Sequence, residues 1–266
     1  MTGNNQSKKL FYESLPRLEI NPSPLSNNLH LHDLDIDCEL PPNVNLNYYC
    51  SEDFRENHEI SNSTHSQPLS FFHQNIRSLS KNYDNLVGLL SELSYPFSII
   101  GLTEIKITDD TGNLDNTEIS GYKFIHQPTL SNAGGAGVYL HESLINHYTK
   151  RIDLTTSKAD LFESLWIELH NKSRKNILFA VVYRHPRERT DEFMEYINKC
   201  LDTVQREQKP CIMMGDFNLD LLKHESREPI NEFLNTMYSS YFLPHLLLLS
   251  FYKINLQLKS LLHSSN

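Results

Sequence analysis

The sequence predicts a mixed α/β domain in which sheets are sandwiched between helices, and three observations lead there. Short continuous apolar runs typical of buried strands, "FSIIGL" (97–102) and "CIMM" (211–214), stand beside stretches with helical apolar spacing. The first ordered unit reads strand, helix, strand, which suggests a parallel pair joined by a crossover. The middle of the chain is rich in strand candidates separated by polar turns.

Order is expected to begin at Leu69. "LSFFHQNI" (69–76) reads as a strand, and the segment after it places Leu86, Leu89, Leu90 and Leu93 at helical spacing before Pro96 closes it. "FSIIGLTE" (97–104) is a buried strand ending at Glu104. Four more strand candidates follow: "GYKFIHQ" (121–127), "GGAGVYLH" (134–141), "LFESLWIELH" (161–170) and "NILFAVVYRHP" (176–186). In the third, Leu165, Ile167 and Leu169 alternate with Trp166 and Glu168, a half-buried pattern. A helix over 190–207 has Thr190 as its expected cap, Asp191 and Glu192 in its first turn, and Phe193, Ile197, Leu201 and Val204 on its apolar face. Pro210 opens the strand "PCIMM", and Pro229 begins a helix over 228–238.

Composition bounds the rest. Residues 1–68 carry 4 basic and 10 acidic side chains and abound in Asn, Ser and Pro, so they read as a disordered or weakly ordered acidic leader. An aromatic piece within it, "LNYYCSEDF" (46–54), is able to dock onto the domain. The formal net charge of −9, with no strongly basic part, argues against nucleic-acid binding by bulk electrostatics alone. Cys38, Cys50, Cys200 and Cys211 show no CxxC pairing, and the 13 histidines no ligand spacing, so reduced thiols are expected rather than a zinc site. The longest late apolar run, "LPHLLLLSF" (243–251), is too short to cross a bilayer and no secretory layout opens the chain, so a soluble intracellular protein without membrane contact is expected.

The chemistry concentrates at strand exits. Asn75 ends the first strand, Glu104 lies just past the second, Tyr183 ends "LFAVV", and Asp216 and Asn218 follow "CIMM" within "IMMGDFNLD" (212–220). Singly, each is explained by turn chemistry, since Asp and Asn commonly stop strands with Asx-turns. Together at four strand ends they match the way α/β sheets build sites along one edge. Two carboxyls with nearby carboxamides and no thiol suit a hard cation with oxygen ligands, Mg²⁺ before Zn²⁺. Bringing Glu104 beside Asp216 without a cation is costly, because like charges raise each other's pKa. A phosphate ester is the natural substrate of such a centre. Asp109 and Asp110 of "ITDD" (107–110) read instead as a solvated loop.

Six blocks in order, "HQNIRSL", "IIGLTEIK", "GGAGVYL", "ESLWIEL", "VVYRHP" and "MMGDFNLD", resemble the endonuclease/exonuclease/phosphatase superfamily, nearest to the apurinic-type endonuclease domain of non-LTR (LINE-like) retrotransposons. The resemblance spans residues 69–244 and implies a four-layer α/β sandwich of two sheets flanked by helices. It further implies a DNA-nicking phosphodiester hydrolase that uses Mg²⁺, with Mn²⁺ as a substitute, and that works in the nucleus when its target is genomic DNA. In that pattern Glu104 holds the metal and Asn75 lies near metal and phosphate. Tyr183 contacts the scissile phosphate, Asp216 orients or deprotonates the attacking water, and Asn218 bonds the phosphate and supports Asp216. Arg77 stands where relatives carry a carboxylate. The family's closing Ser-Asp-His is missing: neither His245 nor His263 follows an Asp, and residues 245–266 read as a non-family tail, as after an interrupted reading frame. The sandwich is therefore expected to be incomplete at its C-terminus and the enzyme impaired. The alternatives are an inactive remnant of a retroelement, or a phosphatase or phosphodiesterase of the same superfamily acting on inositol phosphates or lipids.

Overall fold

A computed structural model describes residues 69–109, 117–172, 174–186, 190–221 and 226–240, together with Ser51, Phe54, Arg55 and Phe242. Most of the leader and the tail from residue 243 onward lie outside the described residues, as does Asp110 of the "ITDD" loop. The strands are β1 (Phe71–Asn75), β2 (Ile99–Thr103), β3 (Tyr122–Gln127), β4 (Ala136–His141), β5 (Tyr148–Lys150), β6 (Thr156–Lys158), β7 (Phe162–Leu169), β8 (Ile177–Arg184) and β9 (Cys211–Asp216). The helices are α1 (Leu79–Leu93), α2 (Asp191–Glu207) and α3 (Glu228–Ser239).

Two sheets form. The first has the order β1-β2-β4-β3, with β1 and β2 parallel as the strand-helix-strand reading requires. The second has the order β5-β7-β8-β9, with β6 also paired to β7 and with β8 and β9 parallel. Alternation along each strand sends successive side chains to opposite faces. The inner faces meet in one apolar layer: Phe71, Ile99, Val138 and Leu140 from the first sheet, and Leu165, Ile167, Phe179, Val181 and Met214 from the second. The outer face of the first sheet packs Phe72, Ile100 and Leu102 against Leu79, Leu86, Leu89 and Leu93 of α1. The outer face of the second packs Trp166, Leu178, Ala180 and Val182 against Phe193, Ile197 and Leu201 of α2 and Phe233 and Leu234 of α3. Helix, sheet, sheet and helices make the four layers. Each of the fully buried Leu, Ile and Phe side chains contributes about 1.5–3 kcal/mol relative to exposure.

Local sequence explains the boundaries. α1 ends at Ser94, whose left-handed backbone turns its N–H onto the Leu90 and Ser91 carbonyls two residues before Pro96. Pro229 sits in the first turn of α3. Phe54, from the aromatic piece of the leader, is buried against this core, stacked 6.1 Å from Phe97 and edge-on to Tyr95.

Two expectations are corrected. β7 is buried over all eight residues instead of half-buried. Trp166 faces α2, and Glu168 is accommodated by Arg151 at 3.0 Å and Lys209 at 2.7 Å. Thr190 makes no side-chain cap bond, because its own backbone is already helical (φ −97°, ψ −24°) and so does not aim the hydroxyl at the following N–H groups. The short strands β5 and β6, three residues each, were too brief to leave a periodic signal.

At the end of the sandwich away from the strand exits, Arg151 joins Glu168 to Glu207, with Nη2 2.7 Å from Glu207 Oε1, and Lys209 adds a second cation. Hydrogen bonding from Arg151 draws the Glu207 carboxyl down to about 2 from its ordinary 4.5. A depressed carboxyl stabilises the fold above its unfolded pKa and ceases to do so as the pH falls toward the folded one. Stability is therefore expected to decline between about pH 5 and pH 2, and Arg151→Met to flatten that decline, as read from urea unfolding at stepped pH.

Candidate active site

The inner-face periodicity dictates where polar residues gather. Phe71 faces the layer between the sheets, so Asn75, two periods on, points the same way at the end of β1. Val181 and Met214 set the same phase for Tyr183 and Asp216, which are register partners across β8 and β9. Asn75 pairs with Thr103, the residue before Glu104. One end of the inter-sheet layer thus receives side chains from both sheets.

The contacts are direct. The Asn75 amide nitrogen donates to Glu104 Oε1 at 2.7 Å and to Asp216 Oδ2 at 2.7 Å. Both carboxyls therefore lie within reach of a single amide, and the two sheets are joined at this point. Tyr183, buried at 3% exposure, hydrogen bonds Glu104. Burial first, then the charges of Glu104, Asp216 and Glu163, push its phenol well above the ordinary tyrosine range, so it stays protonated and able to donate. Asn218 donates its backbone N–H to Asp216 Oδ1 at 3.1 Å, which is the Asx-turn, while its side-chain amide donates to the Arg184 carbonyl at 2.6 Å. The five residues singled out in the sequence thus form one connected group, Asn218 through its backbone.

Backbone geometry holds the group. Arg77, Glu104, Lys106 and Asn218 all take left-handed backbone, with φ of 56°, 54°, 55° and 47°. Such conformations are uncommon outside glycine and cluster where the surrounding structure over-determines them. Here that structure is a set of bonds between exits: Ile76 N–H to Thr103 O at 2.9 Å, Leu79 N–H to Ile105 O at 2.9 Å, and Lys106 N–H to Gly134 O at 2.9 Å. Gly215 is obligatory: at φ 155° a Cβ would lie 1.8 Å from the Val182 carbonyl oxygen, so no larger residue delivers Asp216 to this place.

Arg184, within the block "VVYRHP", fixes the turn beyond β9. Its Nε donates to Phe217 O and its Nη2 to Asn218 O, both at 2.8 Å. Beneath Asn75, His73 is fully buried with Nε2 3.3 Å from Thr103 Oγ1, and burial lowers it to about 3, so its ring is neutral. Among the described residues no three His, Cys, Asp or Glu side chains cluster as a metal cage. The available oxygens are those of Glu104 and Asp216, a set that fits a hard cation which takes few protein ligands.

No family model and no curated protein sequence matches the chain. Solved structures do. An AP endonuclease from Leishmania major superposes with a TM-score of 0.52 at 17% identity, over 68% of this chain and 70% of that one. The endonuclease domain of TRAS1, a telomere-specific non-LTR retrotransposon, gives 0.46 at 12% identity over 65% and 73%. A 3′ phosphatase from Neisseria bound to a product DNA hairpin gives 0.45 at 16% over 64% and 70%. The chain shares the α/β fold of the AP endonuclease, two sheets flanked by helices, which is the fold the sequence blocks imply.

Asn218 offers a test of the turn. Asn218→Ala loses the amide bond to Arg184 and keeps a Cβ in left-handed backbone, so a loss of about 1–2 kcal/mol is expected in chemical denaturation. Asn218→Gly, free of the backbone strain, is expected to lose less.

Proposed function

We propose that this chain hydrolyses a phosphodiester of DNA, nicking one strand, and that it is the endonuclease domain of a non-LTR retrotransposon. The observation behind the proposal is the Asn75 amide bonded to both Glu104 and Asp216, which puts two carboxyls from different sheets at one point. The retroelement assignment rests on the six sequence blocks, with "YRHP" beside "ESLW" favouring that branch.

Glu104 and Asp216 are the residues that would hold a divalent cation, Mg²⁺ or Mn²⁺, with Asn75 beside it. When bound, the ion supplies compensation for charge developing on the phosphoryl oxygens. The chain's own residues do the rest. Asp216, held by the Asn218 N–H, is placed to orient the attacking water and accept its proton. Tyr183, kept protonated by burial and its acidic neighbours, donates to a phosphate oxygen. Before an ion binds, Asn75 holds the two carboxyls at one point.

Supercoiled plasmid with Mg²⁺ tests the reading. Relaxation by the wild-type chain, lost in Asp216→Ala and in Glu104→Ala, is the expected result. Relaxation that persists equally in both variants refutes the site, and no relaxation by any of the three is the behaviour of a remnant.

Binding is tested separately from catalysis. Mg²⁺ at about a hundredfold above its Kd is expected to stabilise the fold by about 2.7 kcal/mol, and not to do so in Glu104→Gln. Thermal unfolding with and without Mg²⁺ measures it.

A further inference from the structure

Behind Tyr183 lies a polar cluster to which the hydrolytic reading gives no task. Glu163 is the register partner of Tyr183 in β7 and β8, and it is fully buried at 0% exposure. A carboxyl there requires polar partners, and it has two. The Thr129 hydroxyl lies 2.7 Å from Oε1, and His185 Nε2 lies 3.1 and 3.2 Å from the two oxygens. Thr129 is itself buried, accepts from the Ser131 N–H at 3.1 Å, and also lies 2.6 Å from the Ala133 carbonyl. Gly134 closes over the cluster at φ 98°. A Cβ there would fall 2.4 Å from Glu163 Oε2 and 2.8 Å from His185 Nε2, so only glycine lets the loop approach this closely.

The connections of this cluster run to both halves of the site. Thr129 and Gly134 belong to the β3–β4 loop of the first sheet. The Gly134 and Gly135 carbonyls in that loop accept from the Lys106 and Ile105 N–H groups at 2.9 and 3.5 Å, immediately after Glu104. Glu163 lies in β7 of the second sheet and His185 directly follows β8, and the His185 ring packs edge-on against Tyr183 with centroids 5.0 Å apart. Glu163 therefore links the backbone that presents Glu104 to the strand that presents Tyr183.

We propose that Glu163, His185 and Thr129 are positioning residues, a buried polar strut that sets the spacing between Glu104 and Tyr183 across the two sheets. The proposal rests on the hydrolytic reading of the site. The strut acts through Tyr183 and the Glu104 exit and does not touch substrate: the His185 side chain is 5% exposed and its Nε2 is committed to Glu163. Apolar contacts at the same place would permit sliding, because apolar cores accept alternative packings. Directed hydrogen bonds to one carboxyl accept a single geometry. Precision matters here because a displacement of about 1 Å at a reacting centre costs on the order of a hundredfold in rate.

Thr129→Val removes the hydroxyl at constant shape, and Thr129→Ser retains it. In the full chain without metal or DNA, hydrogen exchange read by mass spectrometry is expected to rise in Thr129→Val over 104–107 and 128–136. Exchange in α1 and α2 should stay unchanged, and Thr129→Ser should match the wild type. With Mg²⁺ and supercoiled plasmid, Thr129→Val is expected to lower kcat about tenfold or more with KM within about twofold, and Thr129→Ser to restore it. Unchanged exchange at 104–107, or a rise spread across the helices, overturns the strut. A wild-type kcat in Thr129→Val overturns its positioning role. A wild type no faster than Asp216→Ala overturns the hydrolytic reading instead, and the exchange pattern then still decides whether the strut joins the sheets.

Discussion

The pair of hydrogen bonds from one carboxamide, Asn75, to carboxyls of two different sheets is the constraint on which the site depends. It exists because the inner faces of both sheets are apolar and pack against each other. Inside that layer a carboxyl is too costly unless satisfied, and fully outside it would be dispersed in water. The rim of the layer is where polar side chains from both sheets meet while half shielded. There the Asn75 amide bridges the two carboxyls. The left-handed turns at Arg77, Glu104 and Asn218 are the backbone's part of the same solution, since they fold each exit back over the rim instead of letting the chain run on.

Much of this was legible in the sequence because it was local. The apolar runs before Glu104 and Asp216 announce buried strands, and a polar residue directly after such a run has to emerge at a strand end. The phase of two along β1, β8 and β9 carries Asn75, Tyr183 and Asp216 to the inner face without knowledge of the partner strands. What was not legible depends on pairing. The order β1-β2-β4-β3 places the β3–β4 loop beside Glu104, and no local pattern reveals it. Glu163 was visible as a charge in an apolar run, but its meaning requires the β7–β8 register that sets it against Tyr183. Glu168 looked like the solvent side of an alternating strand, when Arg151 and Lys209, distant in sequence, allow it to be buried. Thr190 had the right chemistry for a cap and the wrong backbone angles.

The charge distribution fits a locally built centre. A chain of net charge −9 does not attract a polyanion at long range, so under the proposed function recognition of DNA has to be made at the site. Around it, burial keeps His73 neutral and Tyr183 protonated. An acidic pair with a protonated donor beside it is suited to a cation and a phosphoryl group together, each making the other's binding less costly. The fold supplies this arrangement through strand exits.

Whether both sheets serve one ion is most directly tested by anomalous diffraction from crystals soaked in Mn²⁺. The account requires a single strong peak at the rim within bonding distance of a Glu104 oxygen and on the same side as Asp216, with the Asn75 amide displaced from at least one carboxyl. A peak at some other place in the fold, with Asn75 still bonded to both carboxyls and no density between the sheets, would contradict it.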